Sequence, residues 1–215
     1  MAWIDLSHTI ISGLPQWRGD DQPLLIHRQS EHGRDSHMSS SVEFGCHIGT
    51  HIDGPLHFLA GAPGVDAMPL DRFAGSAAVV DLRQAAGQPC AAGSLGAEIL
   101  SGRDLSTVDF VLLHTGWDAH WGQPAYYQEW PYLSVELARL LAAADLRGVG
   151  LDTPSLDAFG GREAHDICAA AGMINIENLT GLDRLPSTVP LFQALPLKLE
   201  GTEASPVRAV AWVED

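Results

Sequence analysis

Short apolar runs separated by Gly- and Pro-bearing turns dominate this chain, and such runs predict strands. Residues 3–6 read as a first strand, and 77–82 and 110–114 as buried ones, because a brief continuous apolar run bounded by turn signals suits a strand covered on both faces. The Gly/Ala-rich stretch between the latter two leaves room for a short helix. The helical period appears twice. Ser134 can cap a first turn that carries Glu136, and Leu137, Leu140 and Leu141 form an apolar stripe ending near Gly148, with a strand following over 149–151. A second helix is predicted over 162–171, stopped by Gly172, and 173–176 then forms a strand that delivers Glu177. Residues 195–199 and 207–213 finish the chain as strands around Gly201, while 29–38 predicts a surface loop or hairpin and 60–66 a Gly/Pro-rich loop. Helices and strands interleave without strict βαβ alternation, so the expected fold is a mixed α/β domain over residues 1–215, with a largely β core and a few peripheral helices.

Composition narrows the function classes. A hydrophobic content of 46% is that of a globular protein, and no apolar run approaches the roughly 18 residues a membrane span needs. The N-terminus has an acid at Asp5 and lacks the basic start and apolar run of a signal peptide, so a cytoplasmic protein is expected. A net charge of -15, from 27 acids against 12 Lys plus Arg, repels nucleic acid and anionic membranes. Cys46, Cys90 and Cys168 are odd in number and widely spaced, which argues against a disulfide framework.

The chemistry concentrates in Cys46-His47-Ile48-Gly49-Thr50-His51-Ile52-Asp53-Gly54-Pro55-Leu56-His57-Phe58. His47, His51, Asp53 and His57 all fall on odd numbers, and alternate residues of a strand share a face, so a strand over 41–53 bending at Gly54-Pro55 presents them toward one point. His47 and His51 also have the spacing of a zinc-binding helix, but Gly49, Gly54 and Pro55 would break one. Imidazole and carboxylate together suit zinc, manganese or iron(II), and three protein ligands with one open position are enough for a catalytic metal. Further ligands are sought among His165, in an alanine-rich helix, and Glu177, at the end of an apolar strand where an unpaired carboxylate is costly. Taken singly, each reads more readily as a surface residue. Cys46 points to the opposite face and reads as a small buried residue, and His8 and His114 as structural ones.

The segment from His47 to Phe58 resembles the signature of the cyclase family of metal-dependent hydrolases, which includes bacterial kynurenine formamidase and isatin hydrolase. Further blocks resemble the family in order: Trp17-Arg-Gly-Asp20, Thr115-Gly-Trp-Asp118, Gly150-Leu-Asp-Thr-Pro-Ser-Leu-Asp157, Ile176-Glu-Asn-Leu179, Leu195-Pro-Leu-Lys198 and Ser205-Pro-Val-Arg-Ala209. The resemblance implies a swivelling β/β/α-like fold, dimers or tetramers, and two neighbouring metal positions. His47, His51 and Asp53 would hold the first metal. Asp53 would bridge to the second, held also by His165 and Glu177, and His57 would act as general acid/base. Trp17 would lie over a substrate ring, Phe58 would line the same pocket, and Asp152 and Asp157 would orient the ligand histidines from behind. Two positions depart from the kynurenine formamidase pattern: Asp166 stands where a second histidine follows, and Asn178 where glycine is usual.

The expected activity is hydrolysis of a C–N bond in a small aromatic or cyclic amide, using one or two zinc or manganese ions. A lactone or polyketide-type carbonyl is the alternative substrate, and a metal-binding protein without turnover the alternative class. Lys198 and Arg208 are expected to neutralise buried acids or to cross a subunit contact.

Overall fold

The computed structural model describes residues 1–14, 17 and 24–214; the Asp20 of the N-terminal block lies outside them. In chain order the strands are β1 (Ala2–Asp5), β2 (Leu25–Ser30), β3 (Ser39–Glu43), β4 (His51–Asp53), β5 (Ala74–Asp81), β6 (Gly93–Leu95), β7 (Phe110–His114), β8 (Pro131–Leu133), β9 (Gly148–Leu151), β10 (Ile174–Glu177), β11 (Thr188–Gln193), β12 (Ala204–Pro206) and β13 (Val210–Val213). Helix α1 (Val135–Ala143) precedes β9 and α2 (Glu163–Ala170) precedes β10. Nine strands form one sheet in the order β1-β13-β11-β5-β7-β9-β10-β4-β12, and β2–β3 and β6–β8 pair separately. The steps from β5 through β7 and β9 to β10 are parallel, and those out to the two edges are antiparallel. This is the expected mixed α/β architecture with a β core.

Strands β7, β9 and β10 are buried at every residue, which is why they read as unbroken apolar runs. Their side chains alternate between two cores. Phe110 and Leu112 join Ile52, Ile174, Ile176 and Phe192 on one side, while Val111 and Leu113 join Leu137, Leu141 and Cys168 of the helices on the other. Gly148 is where β9 and β10 lie too close for a side chain, since a Cβ there would sit 2.5 Å from the Ile174 carbonyl oxygen. Ser134 caps α1 by accepting from the Leu137 amide at 3.1 Å. No helix among the described residues is long and apolar enough to cross a membrane.

Several expectations change. The strand predicted over 41–53 is two strands: β3 stops at Glu43, and the chain bends through 44–50 before β4 starts at His51. Residues 195–199 form a single bridge, Pro196 to Val207, instead of a strand. Strands β6, β8, β11 and β12 were not anticipated; β11 contains Pro190, proline has no N–H to give a ladder, and the register with β5 shifts between Val189 and Phe192 to accommodate it. Arg208 pairs with Asp5 at 2.7 Å at the exposed sheet edge and not with a buried acid.

Candidate metal centre

The fold brings the chemical residues together from five segments. Strand β4 lies between β10 and β12, and its antiparallel register sets His51 opposite Glu177. Asp53 follows His51 by two positions and shares its face. His47 arrives from the bend before β4, where Gly49 takes φ +59° to turn the chain, and His57 from a 3-10 turn over Pro55–His57 after it. Helix α2 supplies His165.

Each buried imidazole has one nitrogen tied outward and one turned in. His51 Nδ1 lies 2.9 Å from the Gly49 carbonyl, an acceptor only, so Nδ1 carries the proton and Nε2 faces Asp53 Oδ1 at 3.4 Å and Glu177 Oε2 at 3.5 Å. His165 Nδ1 donates to Asp157 Oδ2 at 2.6 Å, and its Nε2 faces Glu177 Oε1 at 3.2 Å and Asp53 Oδ2 at 3.6 Å. His47 Nδ1 lies 2.8 Å from Asp53 Oδ1 without hydrogen-bond alignment. His51 Nε2 and Asp53 Oδ1 are fully buried and have no hydrogen-bond partner among the described residues.

Lone pairs facing lone pairs in a buried volume repel unless positive charge lies between them. Protons fill that role in the metal-free protein. Burial opposes a charge on His47, but Asp53, Glu177 and Glu203 outweigh it and hold the ring at about 9. His51 and His165 are likewise raised against burial, His51 by Asp53 and Glu177, and His165 by Asp157, Asp53 and Glu177. The orphaned atoms and the mixed imidazole–carboxylate donors fit a divalent cation. One donor atom from each of His51, Asp53 and Glu177 lies within 4.8 Å of the others, and the same holds for His47, Asp53 and His57.

His57 is exposed at the mouth, its ring 4.4 Å from that of His47 and 4.3 Å from Phe58. Desolvation by these neighbours lowers its pKa, while the Asp53 charge opposes the shift. The centre forms the floor of a cavity of about 450 Å³ whose walls include Trp17, Phe58, Tyr127 and Phe159. Trp17 stacks on Phe159 at 5.4 Å.

The two aspartates expected behind the histidines part company. Asp157 accepts from the His165 ring, and also from the Ala164 and His165 amides at 2.8 and 3.0 Å. Asp152 instead accepts from the Thr115 amide and hydroxyl and from the Gly116 amide, and so holds a turn, with none of His47, His51 and His165 among its hydrogen-bond partners within the described residues. Asp152 also falls in a third donor group with His114 and Asp118, but those three donors already occupy its oxygens. His8 stacks on Trp121 at 3.9 Å. Two residues at the centre were given no role by sequence reasoning. Glu203 Oε1 lies 3.1 Å from His47 Nε2. Asn178 donates from Nδ2 to the Gly49 carbonyl at 2.9 Å and accepts from the Tyr126 hydroxyl at 2.8 Å.

Residues 4–158 match the family described as putative cyclase. The chain belongs to that family. Among cyclase-family relatives, it is 31% identical to a kynurenine formamidase of Salinibacter ruber, with 98% of this chain and 97% of the relative covered. It is 30% identical to a kynurenine formamidase of Geobacillus thermodenitrificans over 96% of this chain and 95% of the relative. The fold superposes on isatin hydrolase A from Labrenzia aggregata bound to benzyl benzoate with a TM-score of 0.87 and 26% identity, covering 100% of this chain and 94% of that one. The family match covers the His47–Phe58 segment and ends before His165 and Glu177.

Proposed function

We propose that this protein is a metal-dependent hydrolase that cleaves a C–N bond in a small aromatic or cyclic amide. The observation that carries the reading is the pair of orphaned, buried atoms, His51 Nε2 and Asp53 Oδ1, facing Glu177 at the floor of an aromatic-walled cavity. His47, His51, Asp53, His165 and Glu177 are the residues that would hold the metal, with zinc and manganese the ions that suit them. Asp53 turns Oδ1 toward His47 and His51 and Oδ2 toward His165, which supports its serving one ion or bridging two. A divalent cation bound there supplies a Lewis acid and makes water a nucleophile near neutral pH.

The remaining chemistry falls to the side chains. Trp17, Phe58, Tyr127 and Phe159 hold a flat substrate over the centre and keep bulk water out. The depressed pKa of His57 keeps its ring neutral at pH 7, ready to take a proton from the attacking water and return it to the leaving nitrogen. An amide nitrogen leaves poorly unless protonated, so this transfer weighs more for amides than for activated esters. Asp157 keeps the His165 ring in one tautomer and orientation throughout. The same reading takes residues 1–215 as one catalytic domain, assembled as a homodimer or homotetramer as the family resemblance implies.

The test is hydrolysis of N-formylkynurenine and of isatin by metal-stripped protein, then by protein reloaded with zinc or manganese. Turnover that returns with metal and is lost in His57→Ala supports the reading. Metal-independent turnover, or folded protein that binds neither metal, overturns it. Metal binding without turnover of either compound removes these two substrates and directs the search to lactones and non-aromatic amides.

A further inference from the structure

The three ligand histidines are tied from behind in different ways. His51 leans on the Gly49 carbonyl and His165 on the buried Asp157 carboxylate. His47 is tied by Glu203, 156 positions along the chain and closest to the protein surface of the three tethers. The His47 side chain is 27% exposed and that of Glu203 39% exposed, against 5% and 6% for His165 and Asp157.

Backbone pairing puts Glu203 there. Strand β12 runs antiparallel to β4 with Ala204 opposite Asp53, and the Gly54 amide donates to the Glu203 carbonyl at 2.8 Å, extending the ladder one step beyond the strand. Glu203 is therefore held beside the ligand strand whatever its side chain does. Among the described residues, His47 is the one charged group within ion-pair distance of its carboxylate. No cation among the described residues competes for it, which leaves the carboxylate to hold the ring.

We propose that Glu203 is a positioning residue for the metal centre: its carboxylate accepts from His47 Nε2, holds that ring with Nδ1 turned to Asp53, and thereby raises metal affinity on the solvent-facing side of the site. The inference rests on the metal-dependent reading above. A carboxylate on the far nitrogen of a ligand histidine fixes its tautomer and orientation and makes it a better donor, and losing such a partner costs about 10- to 100-fold in metal affinity. The exposure of Glu203 places the expected effect at the lower end, about tenfold.

The experiment titrates zinc and manganese into metal-stripped protein in competition with a chromophoric chelator, alongside thermal unfolding of the metal-free form. It compares the wild type with Glu203→Ala, Glu203→Gln and Glu200→Ala. Glu203→Ala is expected to weaken binding about tenfold. Glu203→Gln keeps an oxygen that can accept from Nε2 and is expected to recover part of the loss. Glu200→Ala removes the same charge from an exposed position and is expected to bind as the wild type does. All four metal-free forms are expected to melt alike. Unchanged affinity in both Glu203 variants overturns the proposal, and so does an equal loss in Glu200→Ala, which would reduce the effect to net charge. Wild-type protein that binds neither metal overturns the underlying metal reading instead, so the two failures are separable.

Discussion

Replacing Asp157 separates what this residue does for the fold from what it does for the site. Its two oxygens accept from the Ala164 amide, the His165 amide and His165 Nδ1, at 2.8, 3.0 and 2.6 Å. The two amides belong to the first turn of α2, whose N–H groups have no partner within the helix. Losing a cap costs about 0.5–2 kcal/mol and losing a charged hydrogen bond about 1.5–3 kcal/mol; the three bonds share one carboxylate and do not add in full. Asp157→Ala is therefore expected to destabilise the metal-free protein by about 3 kcal/mol, or about 6–12 °C for a chain of this size. Asp157→Asn has nearly the same shape but only one acceptor oxygen. If its amino group faces His165, the ring must carry its proton on Nε2, against Glu177 and Asp53. Asn is expected to cost less stability, about 1–2 kcal/mol, yet to lose metal affinity by about 10- to 100-fold, as Ala does. Urea unfolding of the metal-free proteins reads the first quantity and chelator competition the second. An Asn variant with wild-type metal affinity would refute the orienting role and leave Asp157 as a helix cap alone.

His57→Ala is expected to lower kcat on an amide by about 10²- to 10³-fold with metal content unchanged, and to matter less for an activated ester; rates and bound metal measured on one sample check both. His8 should make the fold acid-sensitive. Burial depresses its pKa from 6.5 to about 4 despite the nearby Asp118 charge, so the unfolded chain takes up the proton first, and stability present above pH 6.5 is lost as pH falls toward 4. Allowing for its partial exposure the loss is about 2 kcal/mol, and urea midpoints at pH 7 and 4.5 should fall less for His8→Phe, which keeps the stack on Trp121 and removes the titration. Asn178 takes φ 57° while fully enclosed, so the usual order of substitutions should invert there. Asn178→Gly loses the bonds to Gly49 and Tyr126, whereas Asn178→Ala loses them and adds about 1 kcal/mol of left-handed strain; a Gly variant less stable than Ala in urea would count against this.

The helices were legible because their signals are local. Ser134 and Leu137 are three positions apart, and the hydroxyl-to-amide bond that the cap predicts is present. Gly172, at φ +70°, closes α2 as glycine does at helix ends. Buried strands β7, β9 and β10 were legible for a different reason: a strand covered on both faces has no polar side to confuse the pattern. Strand β11 was not, because Pro190 reads as a breaker unless the bulge that absorbs it is known, and a bulge is a property of the partner strand as much as of the segment itself.

In the candidate site, the residues singled out by chemical type do come together, but the geometry that joins them was misread. The odd-number parity of His47, His51, Asp53 and His57 suggested one strand face, but only His51 and Asp53 lie on a strand. His47 comes from a glycine-turned bend and His57 from a 3-10 turn, so convergence is produced by two reversals of the chain and not by pleat. Parity happened to agree with proximity. Glu203 could not be found by the same route, since an acid near the Gly201 turn has every local mark of a solvated loop, and its partner is 156 positions away. Only the pairing of β12 with β4 makes it a neighbour of His47. Asn178 is an intermediate case. Its departure from glycine was visible in the sequence and read as a weakened likeness to the formamidases. The left-handed φ explains why glycine suits the position, and asparagine is among the few other residues that tolerate it. Its side chain then joins Tyr126 to the Gly49 carbonyl on which His51 leans, and so tethers the turn that carries it.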